Sequence, residues 1–195
     1  MREQAFTDIY ATNGWGSSQT RSGHGSELSN TKTMLTNIPF IIEQFNIKSI
    51  FDAGCGDWNW FKEIDFNVDY TGADIVRPLV DDMNAKYQKP NVKFVHTDVI
   101  ANKFGCYDLV IARDILFHFS YKDLFKFLFN FQESNSKFLL TTHSGDFPNS
   151  DISTGDWRYL NLFASPFNLP TPIYIFDDAQ STRQICLFTK TQLSF

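Results

Sequence analysis

The stretch Ser49–Asp57 reads SIFDAGCGD and joins a short apolar run to two glycines one residue apart. The run SIFDA is typical of a short buried strand. Gly54 and Gly56 allow the backbone to turn tightly and to approach a bound molecule closely. A G-x-G turn alone is a weak signal, so its meaning depends on what surrounds it in the chain.

Strand-like and helix-like segments alternate around this turn. Residues 31–45 have helical periodicity that Pro39 is expected to break or kink, and a second helix is expected to start near Trp58. Further strands are predicted at VDYTGADI, VKFVHTD, YDLVIAR and KFLLTTH, and further helices at VRPLVDDMNAKYQ and YKDLFKFLFNFQES. This alternation predicts right-handed βαβ units and a parallel sheet covered on both faces.

The C-terminal part of the chain has a different pattern. TPIYIFDD and TRQICLFTK are two apolar strands with no helix between them, which predicts an antiparallel hairpin. The predicted fold class is therefore α/β, a doubly wound, mostly parallel seven-stranded sheet with an antiparallel C-terminal hairpin strand. The long polar and aromatic segment over residues 144–170 is expected to be functional, because loops of that length in compact domains usually are.

Length and charge limit the classes of partner. A chain of 195 residues is expected to form one domain over residues 1–195. Lys and Arg number 17 against 22 Asp and Glu, a net charge of −5. A mildly acidic chain without basic clusters is a poor candidate for binding nucleic acid or an anionic membrane, so a small molecule is the expected partner. The sequence leaves the oligomeric state open.

The cysteine spacing and the hydropathy of the chain indicate the cellular compartment in which it works. The three cysteines, Cys55, Cys106 and Cys186, include no C-x-x-C pair, so neither a disulfide framework nor a metal site is predicted. The first residues, MREQAFTDIY, contain no apolar signal core, and no apolar run approaches the ~18 residues of a membrane span. We therefore expect a soluble, unprocessed, cytoplasmic protein.

The residues that end the predicted strands are the candidate site, since ligands bind beyond the carboxyl ends of open α/β sheets. Asp74 lies 18 residues after Gly56 (74 − 56), where an acidic residue accepts hydrogen bonds from a ribose diol. Asp98 ends the third strand, where it is suited to an adenine amino group. The fourth and fifth strands end in Arg113-Asp114 and His143.

The residue types after the first strand favour one nucleotide class. A dinucleotide fingerprint needs a third glycine for close helix packing beside a pyrophosphate. Asn59 occupies that place, between Trp58 and Trp60. This argues against NAD and favours a ligand with an adenosine but no pyrophosphate. An NAD-binding oxidoreductase stays as the alternative enzyme class.

Four segments, FDAGCGD, YTGADI, HTDV and YDLVIARDILFHF, resemble the successive motifs of class I S-adenosylmethionine-dependent methyltransferases. The resemblance covers Lys48 to His143, and the C-terminal hairpin is similar to that family's reversed last strand. It implies a Rossmann-like fold and S-adenosylmethionine as cofactor. More narrowly, RSGHGSELSNT, FDAGCGDWNW and ARDILFHFS resemble small bacterial methyltransferases associated with surface or capsular polysaccharide biosynthesis, including methylated sugars and phosphoramidates.

The resemblance also implies roles for single residues. Asp52, Gly54 and Gly56 would line the methionine moiety of the cofactor, with Asp57 counted in the same set. Asp74 would hold the ribose hydroxyls.

Four further positions follow from the same motifs. Ile75 would flank the adenine, and Asp98 and Val99 would meet its edge. Arg113 would lie beside the sulfonium, although pairing with Asp114 or another internal acid is the alternative for this arginine.

The reaction implied by the resemblance places an acceptor near the fourth and fifth strands. His143 is the first candidate for a base that takes the acceptor's proton, and His118 is the second; Arg113 is a candidate anchor for an anionic acceptor. The family's [DN]-P-P-[YF] signature for amide or adenine nitrogens is replaced here by ARDI. The leading hypothesis is therefore O-methylation of a sugar or phosphoramidate-type acceptor. A small amine acceptor and a non-catalytic cofactor-binding module are the alternatives.

The polar stretch Thr20–Thr31, TRSGHGSELSNT, precedes the first predicted helix and supplies its N-cap residues. We expect residues 1–30 to form a cover over the carboxyl edge of a cofactor-binding core made by residues 31–195. Arg21 and Ser22 are expected to contact the cofactor carboxylate or an anionic acceptor. An ordered but chemically idle cap is the alternative.

Overall fold

One seven-stranded sheet organises the computed structural model, which describes residues 2–179 and 182–193. Within these residues the α-helices are Arg2–Thr12 (α1), Lys32–Gln44 (α2), Arg77–Tyr87 (α3) and Tyr121–Glu133 (α4). The strands are Ser49–Ala53 (β1), Asp69–Asp74 (β2), Val92–His96 (β3), Leu109–Ala112 (β4), Phe138–His143 (β5), Tyr174–Asp177 (β6) and Gln184–Thr189 (β7). None of the helices in these ranges is long and apolar enough to cross a membrane.

The strand order is β3-β2-β1-β4-β5-β7-β6, with β1 to β5 in parallel pairings. Strand β7 is antiparallel to both β5 and β6. This confirms the predicted doubly wound, mostly parallel sheet with an antiparallel C-terminal strand. The order reverses direction between β1 and β4, which makes their carboxyl ends the topological switch point where α/β sheets bind ligands.

Both faces of the sheet are buried, as a parallel sheet requires. Ile50 of β1 belongs to the apolar cluster that packs on α2 and α3, whereas the next residue, Phe51, belongs to the cluster that packs on α4. All four residues of β4 are fully buried. Helix α2 runs unbroken through Pro39, contrary to the expected break.

The helix predicted near Trp58 is wrong. Between Gly54 and Val68, all of which the structure describes, the only helical turn is a 3₁₀ turn over Phe61–Glu63. Trp58 has a φ of +56° and is buried against Tyr70 and Phe94, at ring-centroid distances of 5.5 and 5.3 Å. Burial of these large rings from a short connection outweighs the local helical preference of the sequence.

Two segments outside the sheet shape its carboxyl edge. The first is helix α1, which was not predicted from the sequence. Residues 144–173 between β5 and β6 contain no α-helix and no strand of the sheet. Side-chain and backbone bonds hold this segment: Asn149 and Asn161 bond each other twice, and the Ser144 N–H donates to the Leu160 carbonyl at 2.8 Å.

Candidate functional site

A cavity of about 860 Å³, counting its open mouth, lies at the carboxyl ends of β1 to β4. The sheet contributes strand-end residues on one side, and the N-terminal segment contributes side chains on the other, namely Arg2, Phe6, Tyr10, Trp15, Arg21 and Ser22. Within the described ranges, no group of three or more His, Cys, Asp or Glu side chains is arranged to hold a metal ion.

Most of the residues predicted to bind a cofactor line this cavity, namely Gly54, Gly56, Asp74, Ile75, Asp98, Val99, Arg21 and Ser22. The structure does not bring Asp52, Asp57 or Arg113 to its wall. Of the two candidate bases, His118 lines the cavity and His143 does not.

Gly54 and Gly56 form the floor of the cavity with left-handed backbone conformations, φ +73° and +57°. A Cβ on Gly54 would lie 2.4 Å from Cγ2 of Ile115, and one on Gly56 would lie 2.1 Å from Oγ of Ser22. Both the conformation and the space therefore require glycine. The turn predicted from the sequence brings bare backbone to the cavity.

Asp74 ends β2 beside this turn. Its Oδ2 accepts the N–H of Gly56 at 3.2 Å, and its Oδ1 accepts the N–H of Val76 at 3.0 Å. Burial raises the pKa of Asp74, while these backbone bonds act in the opposite direction. A carboxylate has about four acceptor positions, so the backbone bonds to Asp74 leave capacity to accept from a ligand such as a diol.

The carboxylate of Asp98 has no acceptor position left for a ligand. Its Oδ1 accepts the N–H groups of Ile100 and Ala101 at 2.8 and 3.1 Å. Its Oδ2 accepts Nε and Nη2 of Arg2 at 3.0 and 2.8 Å. These four bonds fill the acceptor positions of a carboxylate. The adenine contact expected of Asp98 therefore requires Arg2 to leave, a competition that the sequence did not predict.

Asp52 lies outside the cavity wall. This residue is buried beneath the glycine turn, where its Oδ2 accepts the Tyr70 hydroxyl at 2.6 Å. Burial raises the pKa of Asp52 to about 7, opposed by the Tyr70 hydrogen bond and by Arg113. Asp52 supports the turn from below and does not reach the cavity.

Asp57 also lies outside the cavity wall, and it ties the N-terminal loop to the glycine turn. Its carboxylate accepts the Thr20 hydroxyl at 2.7 and 2.8 Å, the Arg21 N–H at 2.8 Å and the Ser22 hydroxyl at 2.9 Å. The backbone N–H of Asp57 donates to Oγ of Ser22 at 2.9 Å. Asp57 thereby positions Arg21 and Ser22, which do line the cavity.

Arg113 is internally paired, which is the alternative that the sequence left open. Its Nη1 lies 3.2 Å from Oδ2 of Asp114, and its Nη2 lies 3.0 Å from Oδ2 of Asp178 and donates to the Gly25 carbonyl. Asp114 lines the cavity with a φ of +57° and also pairs with Arg183 at 3.1 Å. Arg113 is not among the residues that line the cavity, and Asp114 and Asp178 already neutralise its charge.

The two histidines differ in the nitrogen that carries a free lone pair. Nδ1 of His118 lies 2.8 Å from the Asp156 carbonyl, which can only accept, so Nδ1 carries the proton and Nε2 keeps its lone pair. Nδ1 of His143 accepts the Leu162 N–H at 3.2 Å, so a neutral His143 carries its proton on Nε2. A neutral His118 therefore keeps a free lone pair beside the cavity, whereas the lone pair of a neutral His143 is already used.

The environment of His118 keeps it neutral. Its ring lies 4.5 Å from Trp15 and 4.6 Å from Phe117, measured between centroids. Burial lowers the pKa of His118 to about 4. Trp15 and helix α1 were missed by the sequence analysis because α1 has no apolar periodicity and no fully buried residue.

No protein-family model matches the sequence, and no curated protein is significantly similar to it in sequence. Solved structures are similar in fold. The magnesium protoporphyrin IX methyltransferase from Synechocystis PCC 6803 with bound S-adenosylmethionine has a TM-score of 0.67 and 14% identity, over 97% of this chain and 97% of that one. The N-methyltransferase NodS from Bradyrhizobium japonicum WM9, with bound S-adenosylhomocysteine, has a TM-score of 0.67 and 8% identity, over 94% and 97%.

A third solved structure, human N-acetylserotonin methyltransferase in complex with S-adenosylmethionine, has a TM-score of 0.66 and 14% identity. The likeness covers 96% of this chain and 59% of that one. At such identities the likeness shows the fold, and it agrees with the strand order observed here. The chain has the Rossmann-like fold of S-adenosylmethionine-dependent methyltransferases.

Proposed function

We propose that the chain is an S-adenosylmethionine-dependent methyltransferase that acts on a small polar or anionic acceptor. The observation that carries this proposal is Asp74, whose carboxylate lies at the wall of a cavity floored by Gly54 and Gly56 and keeps acceptor capacity beyond its backbone bonds. This arrangement fits the ribose diol and the close-lying chain of an adenosine cofactor. Ile75 and Val99 supply apolar surface beside it for the adenine.

The segment after β1 favours this cofactor over NAD. A pyrophosphate is bound at the N-terminus of the helix that follows the first strand. Residues 54–68 here form only a 3₁₀ turn, and Asn59 uses its side-chain amide to hold the carbonyl of Ser26 at 2.9 Å. An adenosine ligand without a pyrophosphate needs no such helix.

The chain's own part in the reaction is orientation and proton transfer. When bound, S-adenosylmethionine would supply a methyl group on a sulfonium, and in-line transfer of that methyl group to the acceptor leaves the sulfur as a neutral thioether. Gly54 and Gly56 allow backbone contact with the cofactor, and Asp74 fixes its ribose, so that the acceptor and the methyl group are held in reach of each other. His118 Nε2 accepts the proton of an acceptor hydroxyl.

We further propose that the acceptor atom is an oxygen of a sugar or phosphoramidate-type intermediate in bacterial surface polysaccharide biosynthesis. Support comes from the resemblance of RSGHGSELSNT, FDAGCGDWNW and ARDILFHFS to methyltransferases of that kind, and from the missing [DN]-P-P-[YF] signature. Transfer to a small amine is the second candidate, favoured by the fold likeness to the N-methyltransferase NodS.

Calorimetry with S-adenosylhomocysteine tests the cofactor assignment. We expect wild-type protein to bind it and Asp74→Ala to bind at least ~10-fold more weakly, since hydrogen bonds to a charged group contribute about 1.5–3 kcal/mol. Asp69→Ala is the matched control, because Asp69 is an exposed carboxylate at the other end of β2.

Two results would count against the proposal. Unchanged affinity in Asp74→Ala would remove the ribose assignment. Binding of NADH without binding of S-adenosylmethionine or S-adenosylhomocysteine would replace the methyltransferase with an oxidoreductase. The acceptor is then sought by measuring S-adenosylhomocysteine release over nucleotide sugars, phosphorylated metabolites and small amines. Sustained turnover with any of them excludes a non-catalytic binding module.

A further inference from the structure

Arg158 is a buried cation without a hydrogen-bond partner. The residue is 4% exposed, and its Nε, Nη1 and Nη2 are all buried and make no hydrogen bond to any described residue. Its guanidinium lies 5.0 Å from the centroid of the Tyr121 ring. A guanidinium carries five N–H donors, and none of those of Arg158 is used.

Leaving this group unpaired is costly. A buried charge destabilises a fold unless it is paired and hydrogen-bonded, and the Tyr121 ring offsets only part of that cost. The nearby acid Asp151 directs Oδ1 to the N–H groups of Tyr121 and Ile152, not to the guanidinium. Burial lowers the pKa of Arg158, which reflects the same desolvation. Within the described residues Arg158 is therefore a buried cation with one acid nearby, Asp151, and no anion hydrogen-bonded to it.

The position of Arg158 relates it to the cavity. The N–H of Arg158 donates to the Phe117 carbonyl at 3.3 Å, and that of Gly155 donates to the His118 carbonyl at 2.8 Å. Nδ1 of His118 donates to the Asp156 carbonyl at 2.8 Å. Residues 155–158 thus lie along the chain segment that carries the proposed base, and Arg158 itself is not among the residues that line the cavity.

A second unused donor borders the same segment. The hydroxyl of Ser144, at the end of β5, is buried without a hydrogen-bond partner among the described residues. The N–H of Ser144 donates to the carbonyl of Leu160, two residues after Arg158. Arg158 and Ser144 therefore each carry buried donors without a partner among the described residues, in segments joined by the backbone bond from Ser144 to Leu160.

We propose that Arg158 is a binding residue for an oxyanion, a phosphate or carboxylate group of the methyl acceptor. The proposal rests on the proposed function and narrows it, because the acceptor is then anionic and is anchored by its charge beside His118. The planar fork of Arg158 can bond two oxygens of such a group at once. Arg158 is buried and lies outside the cavity wall, so binding requires part of the irregular segment of residues 144–173 to move, and that segment contains no α-helix and no strand of the sheet.

Thermal unfolding of the full chain tests this binding. We compare inorganic phosphate, acetate and chloride at equal ionic strength, with wild type, Arg158→Met, Arg158→Lys and the control Arg77→Met, which removes an exposed arginine of α3. Phosphate or acetate at about 100 times its Kd should raise the wild-type melting temperature by roughly 5 °C over chloride. Arg77→Met should keep the full shift, Arg158→Lys part of it and Arg158→Met none.

A wild-type shift in phosphate alone identifies a phosphorylated acceptor, and one in acetate alone identifies a carboxylate. Equal melting temperatures in all three salts, or an equal oxyanion shift in Arg158→Met, would overturn the proposal. Calorimetry keeps the two proposals apart, since Arg158→Met should bind S-adenosylhomocysteine as wild type does. If neither protein binds it, the methyltransferase proposal fails while the oxyanion result stands.

Discussion

Neighbouring strand ends give similar side chains very different capacities to bind a ligand. Asp74 and Asp98 end or follow adjacent parallel strands and line one cavity, yet Asp74 keeps free acceptor positions and Asp98 has none while Arg2 is bound to it. The difference lies in the partner that the N-terminal helix brings. Spacing along the sequence can therefore identify which acids meet at an edge, but not which of them are free to act.

The same lesson holds for the histidines. The sequence places His143 at a strand end and His118 in a following loop, which favours His143. The deciding property is the nitrogen that keeps a lone pair, and backbone groups of Asp156 and Leu162 set it from the irregular segment after β5. No periodicity predicts where those groups lie.

Replacing His118 tests its assignment as the base. In His118→Asn the side-chain amide can still donate to the Asp156 carbonyl, but the Nε2 lone pair is lost. We expect kcat to fall by about 10²–10⁴, the usual contribution of general base catalysis, while S-adenosylhomocysteine affinity changes little. Because burial lowers the pKa of His118 to about 4, the wild-type rate should not depend on His118 ionisation above pH 5 and should fall as the pH drops through about 4.

His143→Asn is the matched control. Its side-chain oxygen can accept the Leu162 N–H in place of Nδ1, so the local structure is preserved. Turnover of an acceptor found in the release screen should stay close to wild type. Loss of turnover in His143→Asn with normal turnover in His118→Asn would restore His143 as the base.

At the scale of elements, the strands and two of the three helices predicted after β1, namely α3 and α4, could be predicted from the sequence. Buried strands and amphipathic helices carry strong periodic patterns. The connection after β1 could not be predicted, because burial of Trp58 and Trp60 overrides helical preference there. Helix α1 could not either, because it presents no continuous apolar face and is held by polar contacts such as those of Arg2 with Asp98 and Asp123.

Helix α1 competes with a ligand for Asp98. If Asp98 accepts the adenine amino group, then Arg2→Met, which frees Oδ2, should bind S-adenosylhomocysteine more tightly by about 10-fold or more, since one hydrogen bond to a charged group contributes about 1.5–3 kcal/mol. Calorimetry against wild type measures this change. Arg77→Met serves as the control for loss of a positive charge. Unchanged or weaker binding in Arg2→Met would show that Asp98 takes no part in adenine binding.

At the scale of the molecule, one sheet explains both the site and its support. Parallel strands bring their carboxyl ends to a common edge, so polar residues must lie where the core ends. Asp52 is one step inside that edge, in the middle of β1–β2–β4 pairing, and is 5% exposed. The free-energy cost of burying the Asp52 carboxylate next to the glycine turn is thereby offset by the stability of the whole fold.

Asp52 should therefore make the stability of the protein depend on pH. Burial raises its pKa to about 7 in the folded chain, against about 3.9 unfolded. The folded chain binds more protons between these values, so the contribution of Asp52 to the free energy of unfolding is full below pH 4 and is lost as the pH rises towards 7. Asp52→Asn can still accept the Tyr70 hydroxyl and removes the titration.

Thermal unfolding of Asp52→Asn and wild type across pH 4 to 8 measures this contribution. The variant should gain stability relative to wild type as the pH rises, with the largest difference at pH 8, where the buried carboxylate of the wild type is ionised. Asp65→Asn, an exposed acid on the surface, is the control and should follow the wild-type curve. A difference between Asp52→Asn and wild type that does not change with pH would mean that Asp52 keeps an ordinary pKa, and that the sheet supports the glycine turn with a charged carboxylate.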